Sequence, residues 1–264
     1  EANLTGIVHG IAVSMGGDLS YPVILTKDGQ TLHNHYHGNI FKEGQMVLGD
    51  FGAENTMHYA GDITRTFPVG KKFTKKQKDI YEIVLEAEVK CIESLKPGIP
   101  YKEVHLNAAK IMAEGLKSLG LMKGNIDDAV AQGAHALFFP HGLGHMIGLD
   151  VHDMEDLGEN YVGYSDTITR SDQFGTAYLR LGRELETGFV LTVEPGIYFI
   201  PELIDQWAGE GKFKEFIEYD KVVANKDFGG IRIEDNVLIT KDSHRILGPP
   251  IPKTVDEVEA IRQG

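Results

Sequence analysis

Two aspartates, Asp50 and Asp62, lie on strand-like runs that flank a turn-like segment, residues 52–56. Apolar, β-branched and aromatic residues surround both, which is the usual pattern of a strand. A hairpin centred on Thr56 would place the two carboxylates nearly opposite each other, ~5 Å apart. Two ionised carboxylates at that distance repel, so one binds a proton or both bind a cation. The spacing therefore predicts a metal site with hard oxygen ligands. The alternative is that Asp50 ends a strand and Asp62 caps a turn.

Histidines cluster in two places. Residues 138–153 run from two phenylalanines into a glycine-punctuated stretch with three histidines: His141, His145 and His152. A neutral imidazole is a good ligand for a divalent metal, and glycines let the backbone approach a ligand closely. Helix-end capping and core packing are the alternatives. The other group lies within five residues: His33, His35 and His37. This group predicts either an active-site lining that moves protons near neutral pH or an exposed polar loop.

Two glutamates, Glu194 and Glu234, lie in apolar strand-like surroundings. A carboxylate buried there without a partner would be costly. For Glu234 the alternative is a salt bridge to Arg232, which is two residues earlier and so on the same strand face. Together with the two aspartates and His145, the glutamates make four carboxylates and one imidazole. That set suits two divalent ions ~3.5–4 Å apart, such as manganese, cobalt or zinc, that activate a water.

The elements that must position these residues are helices and short strands. Capping boxes at Thr74 and Thr254 predict helix starts, the first helix stopping at Pro97. Further helices are predicted over 102–119 and 126–137, and strands over 190–193, 197–200 and 231–240. One hairpin with two aspartates, and a possible second with two glutamates, suggest paired halves. Polar or charged composition predicts long surface excursions at 154–186 and 202–228.

Length and composition exclude several classes of protein. The 264 residues are enough for one large domain or two small ones, and a hydrophobic fraction of 42% is ordinary for a globular protein. The formal net charge of −13 argues against nucleic acid and anionic membranes as partners. No apolar run approaches the ~20 residues of a membrane span. A single cysteine, Cys91, excludes an internal disulfide and predicts a reducing, cytoplasmic location.

Four motifs, in order, give the chain a family resemblance. They are AGDITRTFPVG at 60–70, HGLGHMIGLDVHD at 141–153, LTVEPGIY at 191–198 and GIRIEDNVLIT at 230–240. The chain resembles the pita-bread (creatinase/aminopeptidase) metallopeptidases, and among them the Xaa-Pro aminopeptidases, from about residue 32 to residue 240. The resemblance implies an α+β pita-bread fold, with a curved antiparallel sheet, helices on its outer face and pseudo-two-fold halves. It implies that residues 1–264 are a single catalytic domain, a fragment without the family's N-terminal domain.

The resemblance also implies roles for individual residues. It implies five metal ligands: Asp50, Asp62, His145, Glu194 and Glu234. Asp62 and Glu234 would bridge two divalent ions, with manganese favoured over cobalt or zinc. His141 and His152 match active-site histidines that hold substrate and help to move protons, and Glu194 would also be the general base. The residues that match substrate-binding positions are His33, its rival His35, Tyr198 and Arg232.

The activity that the resemblance implies is hydrolysis of the bond between an N-terminal residue and a following proline. The expected partner is a peptide with proline at its second position, and the expected assembly is a homo-oligomer, a dimer or larger. Prolidase, which cuts Xaa-Pro dipeptides, is the nearest alternative. Methionine aminopeptidase fits the motif wording less well, and metal-free creatine amidinohydrolase does not fit the complete ligand set. A non-catalytic pita-bread module that binds peptides or proteins is the alternative from another class.

Overall fold

The structure is a computed structural model that describes residues 1–264. Its helices are α1 (Ala2–Ser14), α2 (Lys75–Ser94), α3 (Tyr101–Ser118), α4 (Ile126–Gln132), α5 (Glu159–Gly163), α6 (Pro201–Glu210), α7 (Tyr219–Val223) and α8 (Val255–Gln263). Its strands are β1 (Asp18–Leu19), β2 (Ile24–Thr26), β3 (Met46–Phe51), β4 (Ala53–Glu54), β5 (Ile63–Pro68), β6 (Val190–Val193), β7 (Gly196–Tyr198), β8 (Gly230–Arg232), β9 (Asp235–Ile239) and β10 (His244–Ile246). Short 3₁₀ helices span Ala134–Leu137, Glu155–Leu157 and Thr176–Tyr178.

Every strand pairing is antiparallel. Each half of the chain contributes one three-stranded sheet, in the orders β2-β3-β5 and β10-β9-β6, and the pairs β1-β4 and β7-β8 complete the set. Helix α2 packs against α3 and against β6, β7 and β8, so the helices cover one side of the strands. The α+β class, the antiparallel pairing and the two related halves are as predicted.

The first hairpin has a slightly different register from the one predicted. Strands β3 and β5 pair Phe51 with Ile63, so the turn is centred on Met57 rather than Thr56. Asp50 therefore faces Thr64, and Asp62 lies diagonally across from Asp50 on the same face of the ladder. The same register continues beyond β3 and β5, because the Gly61 N–H donates to the Ala53 carbonyl and the Asn55 N–H donates to the Tyr59 carbonyl, both at 3.1 Å. The two carboxylates still converge, although not directly opposite each other.

The second hairpin is interrupted where its glutamates lie. Strands β6 and β9 pair Val193 with Asp235, and β7 and β8 pair Gly196 with Arg232 in the same register. Glu194 and Glu234 consequently face each other in the gap between the two ladders. The prediction of one unbroken strand over 231–240 was wrong, because the backbone leaves the ladder at this gap.

Local signals located most helix ends correctly. Capping boxes at Thr74 and Thr254 are present, each with the side-chain and backbone hydrogen bonds of that motif. The predicted helix over 126–137 instead ends at Gln132 and continues as a 3₁₀ helix. Gly133 has φ +91°, a left-handed conformation that ends a helix and that glycine adopts without a Cβ clash.

The two predicted excursions are partly core rather than surface. In the segment 154–186, Leu179, Leu181 and Leu185 are buried. In the segment 202–228, Trp207 is buried on α6 and contacts Phe213. Sparse apolar residues in a polar segment gave no periodic signal, so the sequence did not reveal this burial. No helix combines the length and apolar character needed to cross a membrane.

Candidate metal centre and active site

Three predicted ligands form a buried cluster. Ligand atoms of Asp62, His145 and Glu234 all lie within 4.8 Å of one another. Asp62 directly precedes β5, and Glu234 lies between β8 and β9. His145 lies in the loop between the 3₁₀ helices Ala134–Leu137 and Glu155–Leu157. The backbone N–H of Glu234 donates to the carbonyl of Thr64 at 3.1 Å, which ties the two halves together at the centre.

The loop that carries His145 is aligned along β6. The N–H of Thr192 donates to the His145 carbonyl at 3.0 Å, and the N–H of Glu194 donates to the Leu143 carbonyl at 2.8 Å. A Cβ on Gly144 would lie 2.1 Å from the carbonyl oxygen of Thr192, so only glycine permits this approach. The glycine-punctuated motif therefore brings its histidine alongside Glu194.

The hydrogen bonds of His145 define which nitrogen faces the cluster. Nδ1 donates to the carbonyl of Met146 at 2.9 Å, so Nε2 faces the carboxylates. Nε2 lies 3.4 Å from Asp62 Oδ2 and 3.5 Å from Glu194 Oε1. In the metal-free protein a proton on Nε2 satisfies these carboxylates, and a metal ion among the three atoms would displace that proton. Burial alone would lower the pKa of His145, but the Asp62 hydrogen bond and the Glu194 charge raise it to about 9.

The carboxylates of Glu234 and Glu194 also lie where a nearby positive charge or a proton would stabilise them. Burial, followed by the charge of Asp62, raises the pKa of Glu234 well above its ordinary value, and burial raises the pKa of Glu194 to about 7. Glu234 Oε2 accepts from the Thr64 hydroxyl at 2.6 Å, while Oε1 is buried without a hydrogen-bond partner. A divalent cation would satisfy that oxygen and remove the repulsion, so this donor set fits a metal.

Asp50 lies beside this cluster rather than within it. The Tyr21 hydroxyl contacts Oδ1 of both Asp50 and Asp62, and Arg232 donates to Asp50 Oδ2. Burial raises the pKa of Asp50 despite Arg232. The pKa of Asp62 is lowered, because the hydrogen bond and charge of His145 outweigh burial. Arg232 thus pairs with Asp50, and its alternative salt bridge to Glu234 is not formed.

A hydrogen-bonded chain connects Arg232 to His141. Arg232 Nη1 donates to the Tyr198 hydroxyl at 2.8 Å, and that hydroxyl lies 2.9 Å from His141 Nε2. Because His141 Nδ1 donates to the Gly142 carbonyl at 2.7 Å, Nε2 accepts the Tyr198 proton. Burial, with the charge of Arg232, lowers the pKa of His141 to about 3. His141 is therefore a neutral group with both ring nitrogens engaged.

The remaining predicted residues separate into lining and supporting positions. A cleft of about 850 Å³ opens onto the cluster, and His33, His35, His141, His152 and Arg232 line it. Tyr198 was predicted to bind substrate, but it is fully buried behind His141 and Arg232 and does not line the cleft. The ring of His152 packs edge-on against His145 at 4.4 Å between centroids and is 42% exposed.

Sequence reasoning missed three polar residues beside the ligands. Tyr21 connects the two aspartates, and Thr64 and Thr192 donate hydroxyl protons to Glu234 and Glu194 respectively. Each threonine lies two residues from a ligand along a strand, which places it on the ligand's own face. That period-two relation was visible in the sequence. Tyr21 lies far from every motif, and no local signal marks it.

Comparison with known proteins places this site in a family. The sequence model described as metallopeptidase family M24 matches residues 1–241. A protein of Aspergillus clavatus, named as a probable Xaa-Pro aminopeptidase, is 39% identical over 248 residues, covering 91% of this chain and 51% of that protein. The Xaa-Pro dipeptidase of Mus musculus is 41% identical over 272 residues, covering 100% of this chain and 53% of its own length.

Solved structures agree in fold. A zinc-substituted Escherichia coli aminopeptidase P in complex with product superposes with a TM-score of 0.79 at 36% identity, covering 100% of this chain and 52% of that one. The pita-bread fold expected from the motifs is thereby confirmed. This chain spans about half the length of the relatives it matches. A match over most of the chain, together with relatives of this similarity, shows that the chain belongs to metallopeptidase family M24.

Proposed function

We propose that residues 1–264 are a single catalytic domain that hydrolyses the bond between an N-terminal residue and a following proline. One observation supports this most strongly: ligand atoms of Asp62, His145 and Glu234 lie within 4.8 Å of one another, beside Glu194, in a buried cluster that suits a divalent cation. One cluster of 46 buried apolar residues extends from Met46 to Val258, which supports a single domain. The donor set is that of a hydrolytic metal centre at the base of a cleft.

Five side chains would hold the metal ions: Asp50, Asp62, His145, Glu194 and Glu234. Asp62 and Glu234, the two carboxylates that lie with His145 in the buried cluster, are the proposed bridging ligands. Four carboxylates to one imidazole favour manganese as the native ion, with cobalt and zinc as substitutes. A bound pair of divalent ions supplies Lewis-acid activation of water and of the scissile carbonyl.

The chain's own residues would supply proton transfer and orientation. Glu194 accepts a hydrogen bond from the Thr192 hydroxyl and lies beside His145, and it is the proposed general base. Burial raises its pKa to about 7 in the metal-free protein, and bound divalent ions would lower that pKa. His152 faces the cleft with a partly exposed ring, so it is better placed than His141 to contact the substrate carbonyl. His141 is held in one tautomer by Gly142 and Tyr198, and so presents a fixed imidazole wall to the substrate.

The ligand assignment is tested by substitution without change of shape. Asp62→Asn and Glu234→Gln each remove a negative charge from the cluster, and we expect the metal content after dialysis to fall below one ion per chain. His9→Gln, which alters an exposed histidine outside the cleft, should leave the metal content unchanged. Full occupancy in either cluster variant would contradict the assignment.

Specificity is tested with tripeptides. Turnover of Xaa-Pro-Yaa by the manganese-loaded chain should far exceed turnover of Xaa-Ala-Yaa, because a rigid pyrrolidine ring fills a fixed pocket that alanine leaves partly empty. Equal rates on the two substrates would remove proline specificity from the proposal and leave a general aminopeptidase.

Xaa-Pro dipeptidase is the second candidate, and one residue favours it. Arg180 lies in the cleft lining, and a guanidinium there suits the terminal carboxylate of a dipeptide. In this structure Arg180 pairs with Glu155 at 2.5 Å, which leaves its charge partly neutralised. The dipeptidase would be selected if kcat/KM for Xaa-Pro well exceeded kcat/KM for Xaa-Pro-Yaa in the wild-type chain. The Arg180→Gln variant should then lose this preference.

A further inference from the structure

Four charged side chains form a linear network of ion pairs next to Glu234: Arg65 on β5, Asp235 on β9, Lys253 just before α8 and Glu88 on α2. Lys253 Nζ lies 2.6 Å from Glu88 Oε1 and 2.6 Å from Asp235 Oδ2, and Arg65 Nη2 lies 2.6 Å from Asp235 Oδ1. Two positive and two negative charges balance. Burying charged groups costs free energy, and Glu88 is fully buried. The contacts that this network makes indicate a role for it.

The network fastens the main chain of the bridging ligand. Arg65 Nη1 donates to the Glu234 carbonyl at 2.6 Å, and the Glu234 N–H donates to the carbonyl of Thr64, the neighbour of Arg65. Asn236, two residues on, donates from its side chain to the Asp62 carbonyl. The three consecutive residues 234–236 are thus bonded to the strand that follows Asp62 and to Asp62 itself.

The same network holds the segment 251–253, far along the chain. Arg65 donates to the carbonyls of Ile251 at 3.2 Å and Pro252 at 3.3 Å. The Tyr81 hydroxyl on α2 donates to the Lys253 carbonyl at 2.7 Å. Residues 251–253 are therefore bonded to the same Arg65 that holds the Glu234 carbonyl, and none of them lines the cleft.

We propose that Arg65, Asp235 and Lys253 are positioning residues that set the metal affinity of the centre by fixing the Glu234 main chain. Residues 251–253 then act as a clamp next to Glu234, although none of them reaches the cleft. The physical reason is that an outer layer of bonds fixes the direction of each ligand oxygen, so loosening it costs ~10–100-fold in metal affinity. This inference rests on the metal centre of the proposed function.

The test measures Mn²⁺ binding by titration calorimetry, with activity left aside. Lys253→Met removes the shared ammonium, and Asp235→Asn removes the shared carboxylate while keeping its size. We expect both variants to raise the Mn²⁺ dissociation constant ~10-fold or more. Lys253→Arg keeps the charge and should recover most of the affinity. Lys110→Met breaks an exposed ion pair with Asp127, also 2.6 Å long, and should leave affinity unchanged.

The outcomes separate positioning from simple stability. A raised dissociation constant in Lys253→Met and Asp235→Asn, with native near-ultraviolet circular dichroism of the metal-free proteins, supports the proposal. A lower melting temperature with wild-type Mn²⁺ affinity in Asp235→Asn overturns it, since the network would then be structural alone; if Lys253→Met fails to fold, Asp235→Asn decides. Wild-type protein that binds no Mn²⁺ overturns the metal centre itself, and this inference with it.

Discussion

At the scale of single residues, the proposed metal centre is a group of acidic side chains with too few proton donors to satisfy them. Tyr21 shows this most clearly. Its one hydroxyl proton can satisfy only one oxygen at a time, yet the hydroxyl contacts Oδ1 of both Asp50 and Asp62. Burial and the neighbouring aspartate charges raise the pKa of Tyr21 well above its ordinary value, so it remains a neutral donor. These contacts hold the two proposed ligand carboxylates at a fixed separation.

We expect Tyr21→Phe to weaken metal activation. Without the hydroxyl, the two carboxylates repel and rotate away from each other, so more Mn²⁺ is needed to draw them together. The half-saturating Mn²⁺ concentration for Xaa-Pro-Yaa hydrolysis should rise ~10-fold. Tyr161→Phe is the matched control, because Tyr161 is 84% exposed. Identical activation curves for Tyr21→Phe and wild type would show that the hydroxyl does not orient the ligands.

At the scale of elements, the sequence revealed what short-range chemistry dictates. Capping boxes and hydrophobic periodicity predicted α2 and α8, and apolar alternation located the strands that carry or adjoin the proposed ligands. What it could not reveal depends on distant parts of the chain. The strand breaks at Glu234 because its backbone N–H donates to the Thr64 carbonyl instead of to a neighbouring strand of its own sheet. The polar segments 154–186 and 202–228 are ordered because some of their apolar side chains are buried in the core.

Those two segments form one wall of the cleft, which gives them a testable role. Phe174 and Tyr178 stack edge-on at 5.9 Å between centroids, and Phe174 also packs on Trp207 of α6 at 5.8 Å. Phe174 and Tyr178 line the cleft together with Leu203 of α6. An apolar wall of this kind would contact the substrate without touching the metal ligands.

We therefore expect Tyr178→Ala to raise KM for Xaa-Pro-Leu several-fold with little change in kcat. The ring provides binding that is equal in the ground and transition states, and such uniform binding affects KM alone. Steady-state kinetics on Xaa-Pro-Leu and Xaa-Pro-Gly checks this, and the effect should be smaller for the glycine peptide. Tyr161→Ala, in the same segment but away from the cleft lining, is the control. A fall in kcat with unchanged KM would contradict the assignment of this wall.

At the scale of the whole molecule, the core carries two titratable groups that the proposed chemistry does not use. His105 on α3 and His135 in a 3₁₀ helix are buried 6.4 Å apart between ring centroids, and neither ring has a hydrogen-bond partner. His105 also packs on Phe139 at 5.2 Å, and Phe139 packs on His141 of the cleft at 4.9 Å. A continuous series of ring contacts therefore connects the buried histidine pair in the core to His141 at the wall of the cleft.

This buried pair should make the fold sensitive to acid. Burial lowers the pKa of His105 to about 3 and that of His135 to about 4. Below pH ~6.5, the pKa of histidine in the unfolded chain, the unfolded chain binds protons that these buried histidines do not bind in the folded chain. The free energy of unfolding therefore falls as the pH decreases from ~6.5 toward 4. Between pH 7.5 and pH 5, each histidine should cost about 2 kcal/mol of unfolding free energy.

His105→Phe isolates this effect, because a phenyl ring fills similar space and binds no proton. Urea unfolding of metal-free protein at pH 7.5 and pH 5.0 should show a loss of stability smaller by about 2 kcal/mol in the variant than in wild type. The comparison between variants removes the contribution of the metal ligands, which titrate equally in both. His58→Gln, at an exposed histidine, should retain the wild-type pH dependence. If His105→Phe also retains it, His105 is protonated inside the folded protein, and the buried pair does not limit stability in acid.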